Sequence, residues 1–207
     1  MASKSPNVAA LDQIQTECRE LLRGAQFRKH GRSYNRSSSE GVVHAITFFL
    51  GRYTSSLHGQ FNVELGVPLP CLLHIEYGTP HRRTYSSGYC EIRTSLPALR
   101  SESNGNWWSL ADDPIETGRS VMLELKSVGL PFLLQFQSYE DVIAHYEREG
   151  SLPGNNPGRS ALAVAVLCHD LGDSDRASDF FDIAKSYNHK GFVEHVNEIQ
   201  RRCESGP

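Results

Sequence analysis

Between Gln60 and Val67 apolar and polar residues alternate without a break: Phe61, Val63, Leu65 and Val67 against Gln60, Asn62, Glu64 and Gly66. A period of two does not suit a helix, whose faces repeat about every 3.6 residues, and demands a half-buried β-strand with a second, wetter face. Val42 to Leu50 is more uniformly apolar and β-branched, which predicts a central strand covered on both faces. Leu72 to Tyr77 and Tyr89 to Thr94 supply two further predicted strands, and Tyr34 to Arg36 is placed to open the sheet. The intervals are short and hold Gly51, Gly59, Pro68, Pro70, Gly78, Pro80 and Gly88, so antiparallel meander connections are predicted over helical crossovers.

Around this sheet the period becomes helical. Val8, Leu11, Ile14, Cys18, Leu21, Leu22 and Ala25 form one stripe, predicting a helix from about Asn7 to Arg23 that stops at Gly24. Asp113-Pro114-Ile115-Glu116 starts another, with Gly129 and Pro131 as its stop, and Ser138 to Asp141 reads as a capping box for a helix closed by Gly150. The glycine- and proline-rich run from Gly150 to Gly158 reads as a linker. Beyond it, Ala161 to Leu171 is an almost wholly apolar helix. Asp173 or Ser174 caps a second that carries Ala177, Phe180, Phe181, Ala184 and Tyr187, and a third carries Phe192, Val193, Val196, Ile199 and Cys203. The Leu-Gly-Asp and Ala-x-x-Phe-Phe-x-x-Ala texture of the first two is similar to a single tetratricopeptide-type hairpin, although one copy cannot build a solenoid. The expected fold is therefore α+β, with an antiparallel sheet of four to five strands packed on helices. Residues 1–149 form the body, 150–158 the linker, and 159–207 a three-helix extension packed on the body.

A chain of 207 residues with 39% hydrophobic and 22% charged residues can bury a substantial core. Its longest apolar stretches fall short of the ~20 residues that cross a bilayer, and the N-terminus has no apolar signal core, so a protein without membrane contact is expected, cytoplasmic or else exported by a route that leaves no N-terminal mark. The five cysteines, Cys18, Cys71, Cys90, Cys168 and Cys203, are scattered singly, which suits free thiols in a reducing compartment. A net charge of −3 disfavours a general nucleic-acid coat. The charge is nevertheless bipolar, with Arg28, Lys29, Arg32 and Arg36 early and Asp170, Asp173, Asp175, Asp179 and Asp182 late.

No catalytic constellation emerges from the spacing. The nine histidines include no His-Glu-x-x-His, no Cys-x-x-Cys is present, and no metal or other cofactor is expected; His44 and His74 would meet only across a sheet. Cys90 beside Glu91 and Arg93 is the best thiol candidate, but its parity along the strand differs from that of Arg93. Gly154 to Ser160 is one residue short of a phosphate-binding loop, has arginine for lysine, and is explained as a turn and helix cap. The strongest candidate is a basic edge of Arg28, Lys29, Arg32 and Arg36, joined by Arg52, Arg82 and Arg83 and interleaved with Tyr34, Tyr53 and Tyr85. Asn62 and Glu64 on the polar strand face add to this surface. Of Trp107 and Trp108, one is expected to seal the core while the other faces outward as an anchor, with Trp108 taken as the contact residue.

The ordered pieces Phe27…Gly31-Arg32-x-Tyr34-x-Arg36, Val43-x-x-Ile46-x-Phe48, Phe61-x-Val63-x-Leu65-Gly66-Val67, Cys90-x-Ile92-Arg93-x-x-Leu96 and Trp107-Trp108-x-Leu110 resemble the uncharacterised bacterial family called domain of unknown function 4304, over about residues 8–135. Phe48-Phe49-Leu50-Gly51 departs from the more polar segment of that family. The resemblance implies a small cytoplasmic α+β domain with no catalytic residues to carry over, of a kind that occurs beside toxins and in defence loci. The expected function is a non-catalytic protein-interaction module, an immunity or defence-associated factor, with a protein partner expected ahead of nucleic acid. The competing expectation is a nucleic-acid- or nucleotide-processing enzyme that uses the arginines for phosphate and Glu64, Glu91 or a histidine for proton transfer.

Overall fold

The computed structural model describes residues 5–51, 59–80, 82, 84–100, 107–187 and 189–205. Its strands are β1 Arg28–His30, β2 Ser33–Ser37, β3 Val43–Leu50, β4 Gln60–Val67, β5 Ile92–Ser95 and the two-residue β6 Trp108–Ser109. They form one antiparallel sheet in the order β1-β2-β3-β4-β5, with β6 also pairing with β4. The helices are α1 Pro6–Glu17, α2 Arg19–Gly24, α3 Pro70–Tyr77, α4 Pro114–Glu124, α5 Leu130–Leu134, α6 Tyr139–Glu149, α7 Pro157–Asp170, α8 Ser174–Ser186 and α9 Lys190–Ser205. The α+β expectation holds, including the three C-terminal helices.

The alternation of β4 becomes the two faces of the sheet. Phe61, Val63, Leu65 and Val67 are wholly buried, and the register sets Phe61 opposite Leu50, Val63 opposite Phe48 and Leu65 opposite Ile46. Removing each of these side chains from water contributes on the order of 1.5–3 kcal/mol. The same core takes in Leu11 and Ile14 of α1, Val121 of α4, Leu133 of α5, and Ala161 to Cys168 of α7, and it reaches Cys203 of α9 without interruption.

The second face is covered by the segment 84–90, and polar residues hold it there. Asn35 clamps the Tyr85 main chain, donating to its carbonyl at 2.8 Å and accepting from its amide at 2.7 Å. Thr47 Oγ1 accepts from the Ser87 amide at 3.0 Å, and the Ser87 hydroxyl donates to Glu64. Gly66 is required by the same packing, because a Cβ there would lie 2.5 Å from Cβ of Cys90. The polar positions of β4 therefore include Glu64, whose carboxylate is engaged within the fold.

Several local expectations are corrected. Leu72 to Tyr77 is not a strand but lies in α3, which opens with Pro70 in its first turn and ends at Gly78 in the left-handed region, φ 62°. Both are strong helix punctuation, and they prevail over a short apolar run that fits either period. His74 accordingly sits on a helix and not across a sheet from His44. Tyr89 to Thr94 shrinks to β5, preceded by a 3₁₀ turn at Ser87–Tyr89. The first helix breaks at Cys18 into α1 and α2. Gly129 and Pro131 do not stop their helix: a π-helical turn, Leu125–Gly129, leads into α5. The wider turn accommodates the donor missing at Pro131, and the bare Gly129 lets it approach Leu96, whose Cδ1 would lie 2.9 Å from an added Cβ.

The other helical punctuation forms as expected. Ser138 and Asp141 make a reciprocal capping box, and Gly150 closes α6 at φ 73°. The 150–158 segment lies along β5, where Pro153 O accepts from the Arg93 amide at 2.9 Å and Asn155 donates to Glu91 O at 2.7 Å. It thereby covers a sheet edge that would otherwise be open. Among the described residues no helix is long and apolar enough to cross a membrane.

Candidate functional site

The basic run of the sequence folds as a hairpin at the opposite edge of the sheet. Helix α2 ends in a Schellman turn, with the Phe27 amide donating to Leu22 O at 2.8 Å and the Gln26 amide to Arg23 O at 3.0 Å. Gln26 occupies the left-handed position of that turn, φ 66°, where glycine is the usual residue. β1 follows at once, and Gly31, φ 62°, turns it into β2 through the pair His30 and Ser33.

Arg28 and Lys29 are exposed on β1, and Lys29 Nζ lies 5.8 Å from the centroid of Tyr34. Tyr34 itself belongs to the core, with its hydroxyl donating to Gln15 O at 3.4 Å. Arg32 is half-buried at the hairpin tip, and its carbonyl accepts from the Phe48 amide at 2.9 Å. Arg36 is also half-buried, with its guanidinium carbon 5.2 Å from the centroid of Phe27. It donates from Nε to His44 Nδ1 at 3.1 Å and from Nη1 to Ala25 O, at the negative end of α2, at 3.4 Å.

These contacts assign the state of His44. An arginine can only donate, so Nδ1 accepts, and the ring proton on Nε2 is donated to Phe136 O at 2.7 Å. Burial pulls His44 down to about 4; the Phe136 carbonyl opposes the shift and the Arg36 charge adds to it. It is a neutral structural histidine joining the sheet to the end of α5.

Between the hairpin, the end of α2 and Thr84 lies a groove of about 840 Å³. Its walls carry Arg23, Arg28, His30 and Arg36 over Phe27 and Val43, and among the described residues no Asp or Glu lines it. Glu20 lies 3.8 Å from Arg23 on the exposed side of α2, a pair too solvated to quench the groove. Arg28 and Arg36 thus converge as part of one surface, joined by Arg23, Gln26 and His30, which sequence reasoning passed over.

The remaining predicted residues lie elsewhere. Asn62 is buried on the second sheet face, its Oδ1 accepting from the Val63 amide at 2.8 Å, and Glu64 is bonded to Ser87. Trp108 stacks on Phe61 at 5.4 Å with Arg100 over its ring, while the more exposed Trp107 meets Phe49 edge-on at 5.9 Å. The pair divides as expected, but the outward member is Trp107. Arg82 lies over Tyr89 at 4.4 Å and Tyr85 is buried. Arg52, Tyr53 and Arg83 lie outside the described residues.

A second charged cluster joins the C-terminal helices to the body. Arg159, at the start of α7, forks both ways. Nη2 donates to Glu76 at 2.7 Å and to Glu91 at 2.9 Å, and Nε donates to Glu91 at 2.7 Å. His195 of α9 shares Glu76 at 2.9 Å, and Asn155 donates to Glu91 at 3.0 Å. Burial would raise the Glu76 carboxyl, but the bonds from Arg159 and His195 outweigh it and hold the group below its ordinary value. In place of a phosphate loop, Asn156 caps α7 and Arg159 is neutralised by two carboxylates.

The thiols are equally committed to structure. All five cysteines are buried, and burial pushes Cys18 and Cys71 up to about 12 and Cys168 and Cys203 up to about 11. Cys90 is raised as well, since burial outweighs the opposing charge of Arg93. Such thiols are poor nucleophiles near neutral pH. Among the described residues no group of three or more His, Cys, Asp or Glu side chains could hold a metal ion. No family model, curated protein or solved structure matches the chain.

Proposed function

We propose that the protein is a non-catalytic interaction module that binds an acidic surface of another protein through the groove and hairpin formed by α2, β1 and β2. The observation that carries this reading is the concentration of Arg23, Arg28, His30 and Arg36 around one concavity that no carboxylate of the described residues lines. With the Arg23–Glu20 pair solvated on the exposed side of α2, these cations focus a positive potential in the groove, which steers an acidic partner and fixes its orientation. Phe27 adds apolar area beneath the guanidinium groups. Of the groups that general acid–base chemistry could use, His44 is engaged with Arg36 and Phe136, Glu76 and Glu91 with Arg159, and Glu64 with Ser87. The immunity or defence-associated role implied by the family resemblance belongs to this proposal and makes the partner a toxin-like effector.

The test is capture from native lysate by the tagged chain and by its Arg23→Glu/Arg28→Glu variant, with protein and nucleic acid both measured in the eluates. Arg36 is left intact because it holds His44. A stoichiometric protein that the parent captures and the variant loses, with capture weakening as salt rises, is the expected result. Retention by the variant removes the groove from consideration, and nucleic acid in place of protein favours the phosphate-binding alternative.

A further inference from the structure

Strand β1 ends before β2 does. β1 pairs Arg28 with Asn35, and the same register would set residue 26 opposite Ser37. Gln26 is unavailable for that pairing, because its left-handed backbone closes α2. The main chain of β2 is nonetheless turned toward the missing partner. The Arg32 carbonyl accepts from the Phe48 amide at 2.9 Å, and the Ser38 amide donates to Val42 O at 2.8 Å, so even-numbered positions of β2 face β3. Odd-numbered positions, Ser37 among them, therefore direct N–H and C=O to the side of β1. Ser37 is exposed and lines the groove with Arg23, Gln26, Arg28 and Arg36.

We infer that the groove receives an extended acidic segment of the protein partner, which continues the line of β1 by pairing its main chain with Ser37 and sets a carboxylate among Arg23, Arg28 and Arg36. The inference rests on the reading of the groove as the partner-binding surface, and it names what enters. A volume of about 840 Å³ holds more than one side chain, so a short stretch of chain fits. Strand addition takes its direction from main-chain bonds and its selectivity from side chains. Here one residue of β2 supplies the main-chain pair, so charge carries most of the affinity and Ser37 sets the register. Gln26 borders the same slot with an amide that both donates and accepts, at a position where glycine would suit the backbone better.

The test is fluorescence anisotropy with the full chain and a labelled peptide, Thr-Glu-Val-Glu-Val-Glu-Thr. Controls are a lysine-for-glutamate version and two versions N-methylated at alternate amides, one at the odd positions and one at the even. On the protein side, Ser37→Pro deletes the N–H that faces the slot and Ser37→Ala keeps it, with circular dichroism confirming that both fold. The acidic peptide is expected to bind and the lysine peptide not to bind. One of the two methylation patterns, and Ser37→Pro but not Ser37→Ala, should each weaken binding about tenfold, the loss expected for one or two neutral hydrogen bonds. Equal binding by both methylated peptides and by Ser37→Pro, or no binding of the acidic peptide, overturns the strand pairing. The two readings fail separately. If lysate capture still depends on Arg23 and Arg28 while the peptide tests fail, the groove stands and the strand falls; if capture ignores those arginines, both fall.

Discussion

Replacing His44 should change how stability responds to acid more than it changes the fold at neutral pH. The ring is fully buried, accepts from Arg36 at 3.1 Å and donates to Phe136 O at 2.7 Å. Protonation would cost the first bond and set two cations in contact. A folded value of about 4 against an ordinary 6.5 corresponds to about 3 kcal/mol once both states are protonated. Because the folded value is depressed, this stability is intact above about pH 6.5 and is lost as pH falls toward 4, where the unfolded chain takes up a proton that the folded chain refuses. Between pH 7 and 5 the loss is about 2 kcal/mol by the same linkage. His44→Gln keeps one donor and one acceptor but does not titrate. Urea unfolding of both proteins at pH 7.5, 6 and 5 isolates the effect, since the other titrating groups are common to both. The gap between parent and variant should close by about 2 kcal/mol on acidification; a gap independent of pH refutes the neutral-histidine argument.

Gln26→Gly should stabilise the fold by about 1 kcal/mol, because glycine adopts the left-handed backbone of the Schellman turn without its Cβ cost; the shift of the urea midpoint measures it, and a loss of stability would contradict the assignment. Arg159→Met should destabilise by about 3–5 kcal/mol, since Glu76 and Glu91 would be left as a buried like-charge pair. Adding Glu76→Gln and Glu91→Gln should recover much of that loss, and thermal unfolding of the single and triple variants checks both steps.

How far the sequence reaches depends on the range of the forces involved. The strand at Phe61 to Val67 and the capping box at Ser138 were legible because each is written within a few residues. So were Gly150 as a stop and the three C-terminal helices. Leu72 to Tyr77 was misread because a short apolar run satisfies both periods, and only Pro70 and Gly78 with the packing of α3 separate them. The clustering of Arg28, Lys29, Arg32 and Arg36 was visible, but not that Arg36 would meet His44 on the next strand, nor that Arg23 and His30 would join Arg28 around a groove. Arg159 had no readable role, because Glu76 and Glu91 lie 83 and 68 residues from it.

The amino-acid sequence by itself determined where the chain alternates, where it coils and where it turns, since covalent geometry and local sterics act over one or two turns of backbone. The tertiary structure alone decided which polar groups are consumed by the fold and which remain exposed. Glu64, Asn35 and His44 are satisfied by residues brought to them by the segment 84–90, by β2 and by the end of α5. Arg23, Arg28 and the main chain of Ser37 are left facing an open groove, because β1 begins only at Arg28 and Gln26, before it, belongs to the turn that closes α2. Desolvation and pairing depend on neighbours distant in sequence, and those neighbours exist only once the sheet has closed over its core.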